Sequence, residues 1–173
     1  MKRLAIAALV ILAIASIAYA ALHFYGRAML YHPSRAVVAP EMPGVEAIHI
    51  RTEDGETLVA WWHAPQADQP VFLFFDGNGG RPEIQPGRWR RIADHGAGFL
   101  AVYYRGYSGS TGSPSEEGLA ADARAGYAWL IAHDYAPRDI VIHGYSLGSS
   151  VAVRLAAEHP ARGAHPRSAD DRR

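Results

Sequence analysis

The longest apolar stretch lies at the start of the chain, where Leu4–Leu22 carries no charged residue and follows Met1-Lys2-Arg3. As a helix rising about 1.5 Å per residue, this run would be roughly 28 Å long, close to the hydrocarbon core of a bilayer. A helix that is apolar on every face is not expected in one small domain. We therefore predict a membrane anchor over residues 1–22. A signal peptide is the alternative, because Ala18-Tyr19-Ala20 fits a small-x-small cleavage pattern.

The basic residues beside this run predict its orientation. Lys2 and Arg3 precede the apolar residues, so the positive-inside rule places the N-terminus in the cytoplasm and the body of the protein outside it. If the run were cleaved as a signal, the body would instead be secreted or periplasmic. Residues 23–44 are expected to form a tether, since Pro33, Pro40 and Pro43 interrupt any helix.

Short apolar runs in the body of the chain predict a sheet. Ala47–Thr52 and Thr57–His63 flank the turn residues 53–56 and are expected to form an antiparallel hairpin. Three further runs have an unbroken apolar centre, as is typical of strands buried on both faces in parallel sheets. These runs are Val71–Phe75, Phe99–Tyr104 and Asp139–His143.

The segments between these strands have helical periodicity. Helices are predicted around Gly87–His95, from a capping box at Ser113-Pro114-Ser115-Glu116 to about His133, and over Leu147–Glu158. Because strands and helices alternate from the third strand on, the fold class is α/β, with an antiparallel hairpin followed by parallel strands that have helices on both faces. This domain is expected to span residues 45–160, followed by a disordered tail over 161–173.

Composition and charge exclude several classes of function. The 17 basic residues balance the 17 acidic ones, so nothing indicates a nucleic-acid partner. The chain has no cysteine, which excludes disulfides, thiolate metal ligands and thiol catalysis. Its histidines are scattered without the spacing of a metal site. No metal and no cofactor is therefore expected.

One pentapeptide carries the candidate chemistry. Gly144-Tyr145-Ser146-Leu147-Gly148 has the form G-x-S-x-G and joins a predicted buried strand to a helix without a loop. A turn that sharp forces strained dihedral angles on its central residue, and Gly144 and Gly148 leave room for it. Ser146 is therefore predicted to be a nucleophile whose hydroxyl projects near a helix N-terminus. A helix-capping serine is the plainer alternative.

A glycine-rich loop follows the predicted strand Val71–Phe75. The residues Asp76-Gly77-Asn78-Gly79-Gly80 offer backbone N–H groups with little side-chain cover. An acyl-transfer enzyme needs two N–H donors for the oxyanion, and these are predicted to be the backbone N–H groups of Leu147 and Asn78, supported by Gly77. A plain tight turn is the alternative. A phosphate-binding loop is excluded, because no Gly-Lys-Ser/Thr follows.

Four segments, taken in order, point to a known family. They are residues 74–80 (FFDGNGG), 103–110 (YYRGYSGS), 114–119 (PSEEGL) and 144–148 (GYSLG). They resemble the α/β-hydrolase superfamily, and most of all its membrane-anchored, Bem46-like and ABHD13-like branch of serine hydrolases. The resemblance implies hydrolysis of ester, thioester or amide bonds in small-molecule or lipid-like acyl substrates. The chain departs from this family at Asp76, where His is usual; ionised Asp accepts hydrogen bonds but cannot donate them.

The rest of a catalytic triad is not visible after Ser146. The resemblance implies an Asp or Glu and then a His on later strands. The residues available are Glu158, Asp170, Asp171, His159 and His165, and Glu158 would lie roughly 18 Å away along one helix. Residues 161–173 predict no strand. We therefore expect a truncated or frameshifted product with little turnover, so that an inactive remnant of a hydrolase is the alternative function.

Overall fold

The computed structural model describes residues 2–34, 36–79 and 81–162, and it divides into two compact units. The first unit lies within residues 1–32 and consists of helix α1, Lys2–Leu30. This helix continues past Leu22 through residues expected in the tether, because no proline interrupts the chain before Pro33. Among the residues described, no helix is both long enough and apolar enough to cross a membrane.

The second unit begins at Pro33 and is built on one five-stranded sheet. The strands are β1 Glu46–Arg51, β2 Thr57–His63, β3 Val71–Phe75, β4 Gly98–Val102 and β5 Ile140–Gly144. They lie in the order β1-β2-β4-β3-β5. The first pair forms the predicted antiparallel hairpin, β2 is also antiparallel to β4, and β3 is parallel to both β4 and β5. All five were predicted, with small differences at their ends.

Helices cover both faces of this sheet, as the sequence predicts. The helices are α2 Pro86–Asp94, α3 Glu116–Ala132 and α4 Leu147–Glu158, with short 3-10 helices at Pro82–Ile84 and Pro137–Asp139. On one face, Trp89 of α2 packs its ring against Phe74 and Phe99, with centroids 5.1 and 4.6 Å apart. Neighbouring strand residues point to opposite faces, and Leu73 on the other face lies beside Gly126 of α3.

Helix α3 begins later than its predicted capping box. The cap is Ser115, whose Oγ accepts a hydrogen bond from the backbone N–H of Gly118 at 3.1 Å. Ser113 and Pro114 lie before the helix and do not form its first turn, so that prediction was wrong. With Ser115 as the cap, Glu116 and Glu117 occupy the first turn, where the helix dipole stabilises negative charge.

The segment after α4 is ordered at its start. Ala161 is buried, and the backbone N–H of Arg162 donates to the carbonyl of Ile140 in β5 at 2.8 Å. The first two residues of the predicted disordered tail therefore pack against the domain, where this hydrogen bond holds them to β5. The remainder of that predicted tail, residues 163–173, lies outside the described residues, as do its candidate side chains and the loop residue Gly80.

Arg105 connects three parts of the domain. Its Nε and its backbone N–H each donate to the carboxylate of Asp122 on α3 at 2.8 Å, and its Nη1 and Nη2 donate to Asp54 in the hairpin turn at 2.6 and 3.1 Å. Burial raises the pKa of Asp122 to about 6, against the opposing effect of Arg105. The Arg105 hydrogen bonds hold the pKa of the exposed Asp54 well below its usual range. Arg105 thus fixes α3 and the hairpin to the segment that follows β4.

We expect Asp122→Ala to lower the free energy of unfolding by about 3 kcal/mol or more, because it leaves the buried Arg105 without one of its two partners. Urea titration of the detergent-solubilised chain, followed by circular dichroism, measures this. Arg138→Ala is the control: that side chain is 85% exposed and 4.0 Å from Asp139, and its loss should cost no more than about 0.5 kcal/mol. Similar stabilities for the two variants would contradict the role given to Arg105.

Candidate active site

Ser146 occupies a sharp turn between β5 and α4. Its backbone dihedrals are φ 52° and ψ −119°, a conformation that costs a non-glycine residue about 1–3 kcal/mol. The turn is fixed on both sides, because the N–H of Tyr145 donates to the carbonyl of Phe75 at 3.0 Å and the N–H of Gly148 donates to Tyr145 at 2.9 Å. The side chain of Ser146 is exposed. The strain expected from the G-x-S-x-G pattern is therefore present at its central residue.

The two outer glycines of the pentapeptide allow backbone segments to touch. A Cβ atom on Gly144 would overlap the carbonyl of Gly148, and one on Gly148 would overlap the carbonyl oxygen of Phe75 in β3. Gly77, just after β3, lies against the turn: a Cβ there would be 3.3 Å from that of Ser146. The glycine-rich loop and the turn therefore meet at the carboxyl ends of the parallel strands β3 and β5.

The loop after β3 is held by its own carboxylate and by two tyrosines. Asp76 is buried, and its Oδ1 accepts a hydrogen bond from the N–H of Gly77 at 2.8 Å. Tyr104 donates to the Asp76 carbonyl at 3.0 Å, and Tyr107 donates to Oδ1 of Asn78 at 3.2 Å. Burial raises the pKa of Asp76, although the Gly77 hydrogen bond opposes this. As an acceptor, Asp76 thus helps to hold the loop at the position where the family it resembles usually has histidine.

Tyr104 and Tyr107 were not predicted to belong to this site. Both belong to the quoted segment YYRGYSGS, which follows the apolar run of β4. Tyrosines directly after a buried strand carry hydroxyl groups to the same sheet edge as the glycine-rich loop. Their position after β4 could have indicated a place at this sheet edge. Periodicity alone, however, does not indicate which loop the hydroxyl groups reach.

Leu147 is the first residue of α4 and lies next to Ser146. The first N–H groups of a helix have no acceptor within the helix, and the helix dipole makes this end positive. The N–H groups of Gly148 and Ser149 donate within the turn, to the carbonyls of Tyr145 and Ser146. The N–H of Leu147 therefore lies at the electropositive end of the helix, beside the Ser146 hydroxyl.

The carboxylate and imidazole that follow Ser146 within the described residues lie at the opposite end of α4. Glu158 is 3.5 Å from both Arg124 and Arg154, and His159 stacks on Tyr127 with ring centroids 4.7 Å apart. Glu158 is the last residue of α4, roughly 18 Å along the helix from Ser146. As the sequence indicated, these residues do not lie at the turn.

Other histidines that the structure describes are used elsewhere. His63, His95 and His133 each place Nδ1 within hydrogen-bonding distance of a backbone carbonyl. The ring of His143 stacks on Phe74, and partial desolvation of the ring lowers its pKa. It was expected to face the core or a helix, but it is exposed, because β5 is an edge strand. In the described part of the chain, no group of three His, Cys, Asp or Glu residues is suited to hold a metal ion.

The mixed sheet, the helices on both faces and the strand-turn-helix at Ser146 define an α/β-hydrolase fold. The structure is similar to the crystal structure of an α/β-hydrolase from Vibrio vulnificus, with a TM-score of 0.60 and 32% sequence identity. This similarity covers 69% of the chain and 43% of the Vibrio protein.

Curated relatives agree with this fold. The chain is 34% identical to protein bem46 of Schizosaccharomyces pombe over 124 residues, which are 68% of this chain and 41% of that protein. It is 35% identical over 105 residues to the lysophosphatidylserine lipase ABHD12 of Danio rerio, covering 58% of this chain and 27% of the lipase. No family model matches the chain. The chain belongs to the α/β-hydrolase superfamily, and it spans half the length or less of these curated relatives.

We expect Gly148→Ala to destabilise the domain by about 3 kcal/mol, because the added methyl group would overlap the backbone carbonyl of Phe75 and separate β3 from α4. Thermal unfolding by circular dichroism measures the loss. Gly79→Ala is the matched control, since a Cβ there meets nothing within 4 Å, and it should change stability by no more than about 0.5 kcal/mol. Equal effects of the two changes would show that the contact at Gly148 is not tight.

Proposed function

We propose that this chain carries the nucleophile and the oxyanion-binding groups of a serine hydrolase. Ser146 would attack the carbonyl carbon of an ester, thioester or amide. The observation that carries the proposal is the positive φ of Ser146 on a turn packed against Gly77. Backbone strain of this size persists where the surrounding structure enforces it, and it is concentrated at functional sites.

In the proposed reaction, the Ser146 hydroxyl adds to the carbonyl and loses its proton to a base, which forms a tetrahedral oxyanion. The backbone N–H groups of Leu147 and Asn78 would donate to this oxyanion, and each such donor can contribute about 3–4 kcal/mol in the transition state. Collapse of the intermediate expels the alcohol, thiol or amine and leaves an acyl group on Ser146. Water then releases the acid.

Among the described residues that follow Ser146, none is placed to act as the base in this mechanism. Glu158 and His159 are paired or stacked at the far end of α4, so neither can take the proton from Ser146. A serine hydroxyl without an adjacent base is a poor nucleophile. Within the described residues, the turn therefore supplies transition-state stabilisation and an oriented hydroxyl, and we expect little turnover from them alone.

The substrate we propose is a small-molecule or lipid-like acyl compound. The zebrafish relative is a lysophosphatidylserine lipase by name, and that class of substrate contains an acyl ester. The exposed Ser146 and the backbone donors proposed here recognise the reacting carbonyl, so they favour an acyl bond without selecting the chain attached to it.

Added imidazole should reveal the reactivity of Ser146. We expect the 173-residue chain to hydrolyse p-nitrophenyl acetate at the rate of Ser146→Ala when no imidazole is present. With imidazole as an external base, we expect an extra rate that Ser146→Ala lacks. Peptide mass spectrometry of acid-quenched samples should then find the acetyl group on Ser146, because the acyl-enzyme is the intermediate of the imidazole-dependent reaction.

Ser150→Ala is the matched control for this experiment, because Ser150 is exposed on the same helix and its hydroxyl donates to the carbonyl of Leu147 at 2.8 Å. This variant should behave as the wild type does. An imidazole-dependent rate that survives in Ser146→Ala would refute the proposed nucleophile. Turnover that depends on Ser146 but needs no imidazole would show that the chain supplies its own base. It would also exclude the inactive-remnant alternative.

We also propose that Leu4–Leu22 attaches the protein to a membrane, with the N-terminus in the cytoplasm and the body exported. The support is the uncharged sequence of this run and the preceding Lys2 and Arg3. An anchored hydrolase would act where lipid-like substrates are concentrated. A secreted or periplasmic body after signal cleavage is the alternative.

Carbonate extraction of membranes from expressing cells tests this attachment. We expect the chain to stay in the pellet at full length, because removal of about twenty apolar residues from the bilayer is unfavourable. Ile11→Arg with Ile14→Arg should move it to the soluble fraction, since charge at the bilayer centre is costly. Extraction of the unmodified chain at full length would refute the attachment, and a shortened soluble product would indicate signal cleavage.

A further inference from the structure

Most of the exposed hydrophobic side chains of the second unit lie at one edge of its sheet. In the part of this unit that the structure describes, the large hydrophobic side chains exposed to solvent are those of Val37, Val38, Ile84, Ile131, Tyr145 and Val153. Ile131 lies near the end of α3 and Val153 in the middle of α4. The other four belong to segments at the carboxyl ends of the parallel strands, the edge that carries Ser146. Exposed apolar groups collected at one place indicate an interaction surface.

Contacts within the unit hold these segments at the edge. The ring of Tyr145 lies beside the glycine-rich loop, since a Cβ atom on Gly77 would be 3.5 Å from its Cδ1. Ile84 is the last residue of the 3-10 helix that follows this loop. Val37 packs on the segment after β4, where a Cβ atom on Gly109 would be 3.2 Å from its Cγ2. The exposed groups are therefore fixed in place around the turn at Ser146.

Helix α2 brings cations to the same surface. It begins two residues after Ile84 and contains Arg88, Arg90 and Arg91. The guanidinium of Arg88 lies 5.8 Å from the centre of the Tyr145 ring, which connects the helix to the turn. Arg90 and Arg91 are exposed, and neither forms an ion pair with a carboxylate that the structure describes. Arg90 also lines one cavity wall together with Val38.

Carboxylates at this edge are mostly shielded or paired. Asp76 is 5% exposed and the side chain of Glu83 is 13% exposed. On the far side of the edge, the hairpin turn and the start of α3 contribute Glu53, Asp54 and Glu117, which pair with Arg124, Arg105 and Arg154. Glu41 and Asp94 remain exposed, but the three arginines of α2 outnumber them. The side of the edge next to α2 therefore has an excess of positive charge.

An anionic bilayer surface is complementary to this combination. Apolar and aromatic side chains enter the boundary between head groups and acyl chains, and arginines are attracted to anionic head groups. We propose that this edge of the sheet docks on a bilayer that contains anionic lipids. Val37, Ile84 and Tyr145 would enter the boundary region, with Arg90 and Arg91 beside the head groups.

Docking in this way would bring Ser146, whose side chain is exposed, to the level at which lipid acyl bonds lie. This use of the surface rests on the function proposed above, whereas the docking itself requires no nucleophile. We therefore expect Ser146→Ala to dock as the unmodified chain does. Failure of the nucleophile and failure of the docking would thus be observed separately.

Site-specific fluorescence tests the contact. The chain has no cysteine, so a nitrobenzoxadiazole label on a single introduced cysteine reports one position. Ile84→Cys and Val37→Cys place the label on the proposed surface, and Val153→Cys is the matched control, because Val153 is 71% exposed away from the edge. The labelled whole chain is mixed with vesicles of equimolar phosphatidylcholine and phosphatidylserine. We expect a blue shift and quenching by brominated acyl chains at residues 84 and 37, and neither effect at residue 153.

Two charge substitutions test the role of the arginines. Arg90→Gln with Arg91→Gln should lower the quenching at residue 84 by about half or more, because each cation contributes to attraction at an anionic surface. Arg138→Gln is the control, since that side chain is 85% exposed elsewhere, and it should change nothing. Equal quenching at residues 84 and 153, or none at residues 84 and 37, overturns the proposal. A blue shift that needs no vesicles and grows with protein concentration would also overturn it, because it would show a contact between protein molecules.

Discussion

The close approach of three backbone segments at one end of the sheet is the constraint on which the site depends. The carbonyl of Phe75 accepts the N–H of Tyr145 at 3.0 Å and lies where a side chain on Gly148 would have to be. Strand β3 and helix α4 can therefore pack together with no residue larger than glycine between them. With both ends of the turn held, Ser146 is forced into positive φ. The strain is stored in one residue and is balanced by the packing and pairing around it.

Residues after β3 and β4 complete the same edge of the sheet. Asp76 holds its own loop through Gly77, and Tyr104 and Tyr107 add hydrogen bonds from the adjacent segment. Arg105, between those tyrosines, joins α3 and the hairpin turn through two carboxylates. One short segment thus supports the loop beside Ser146 and also holds α3 and the hairpin turn in place. The site and the fold are consequently stabilised by the same few contacts.

The arrangement around Ser146 is suited to the electrostatic part of acyl transfer. A helix N-terminus and a glycine-rich loop present backbone dipoles, which require no reorganisation when negative charge develops. Proton transfer is a separate requirement, and Glu158 and His159 are held elsewhere by Arg124 and Tyr127. Membership of the α/β-hydrolase superfamily follows from the fold and its relatives, whereas the chemistry of this chain depends on what supplies the base.

The sequence by itself determined the strands, the helices and the turn at Ser146, because these depend on local properties. Apolar runs such as Val71–Phe75 predict buried strands, and glycine spacing predicts a turn that bulkier residues cannot make. Tertiary structure decided what depends on distant partners. It placed β4 between β2 and β3, although β3 precedes β4 in the chain. It made Ser115 the cap of α3, and it left His143 exposed on an edge strand. Strand order and side-chain pairing depend on which surfaces meet in the folded domain. The hydrophobic periodicity of the sequence does not indicate which surfaces these are.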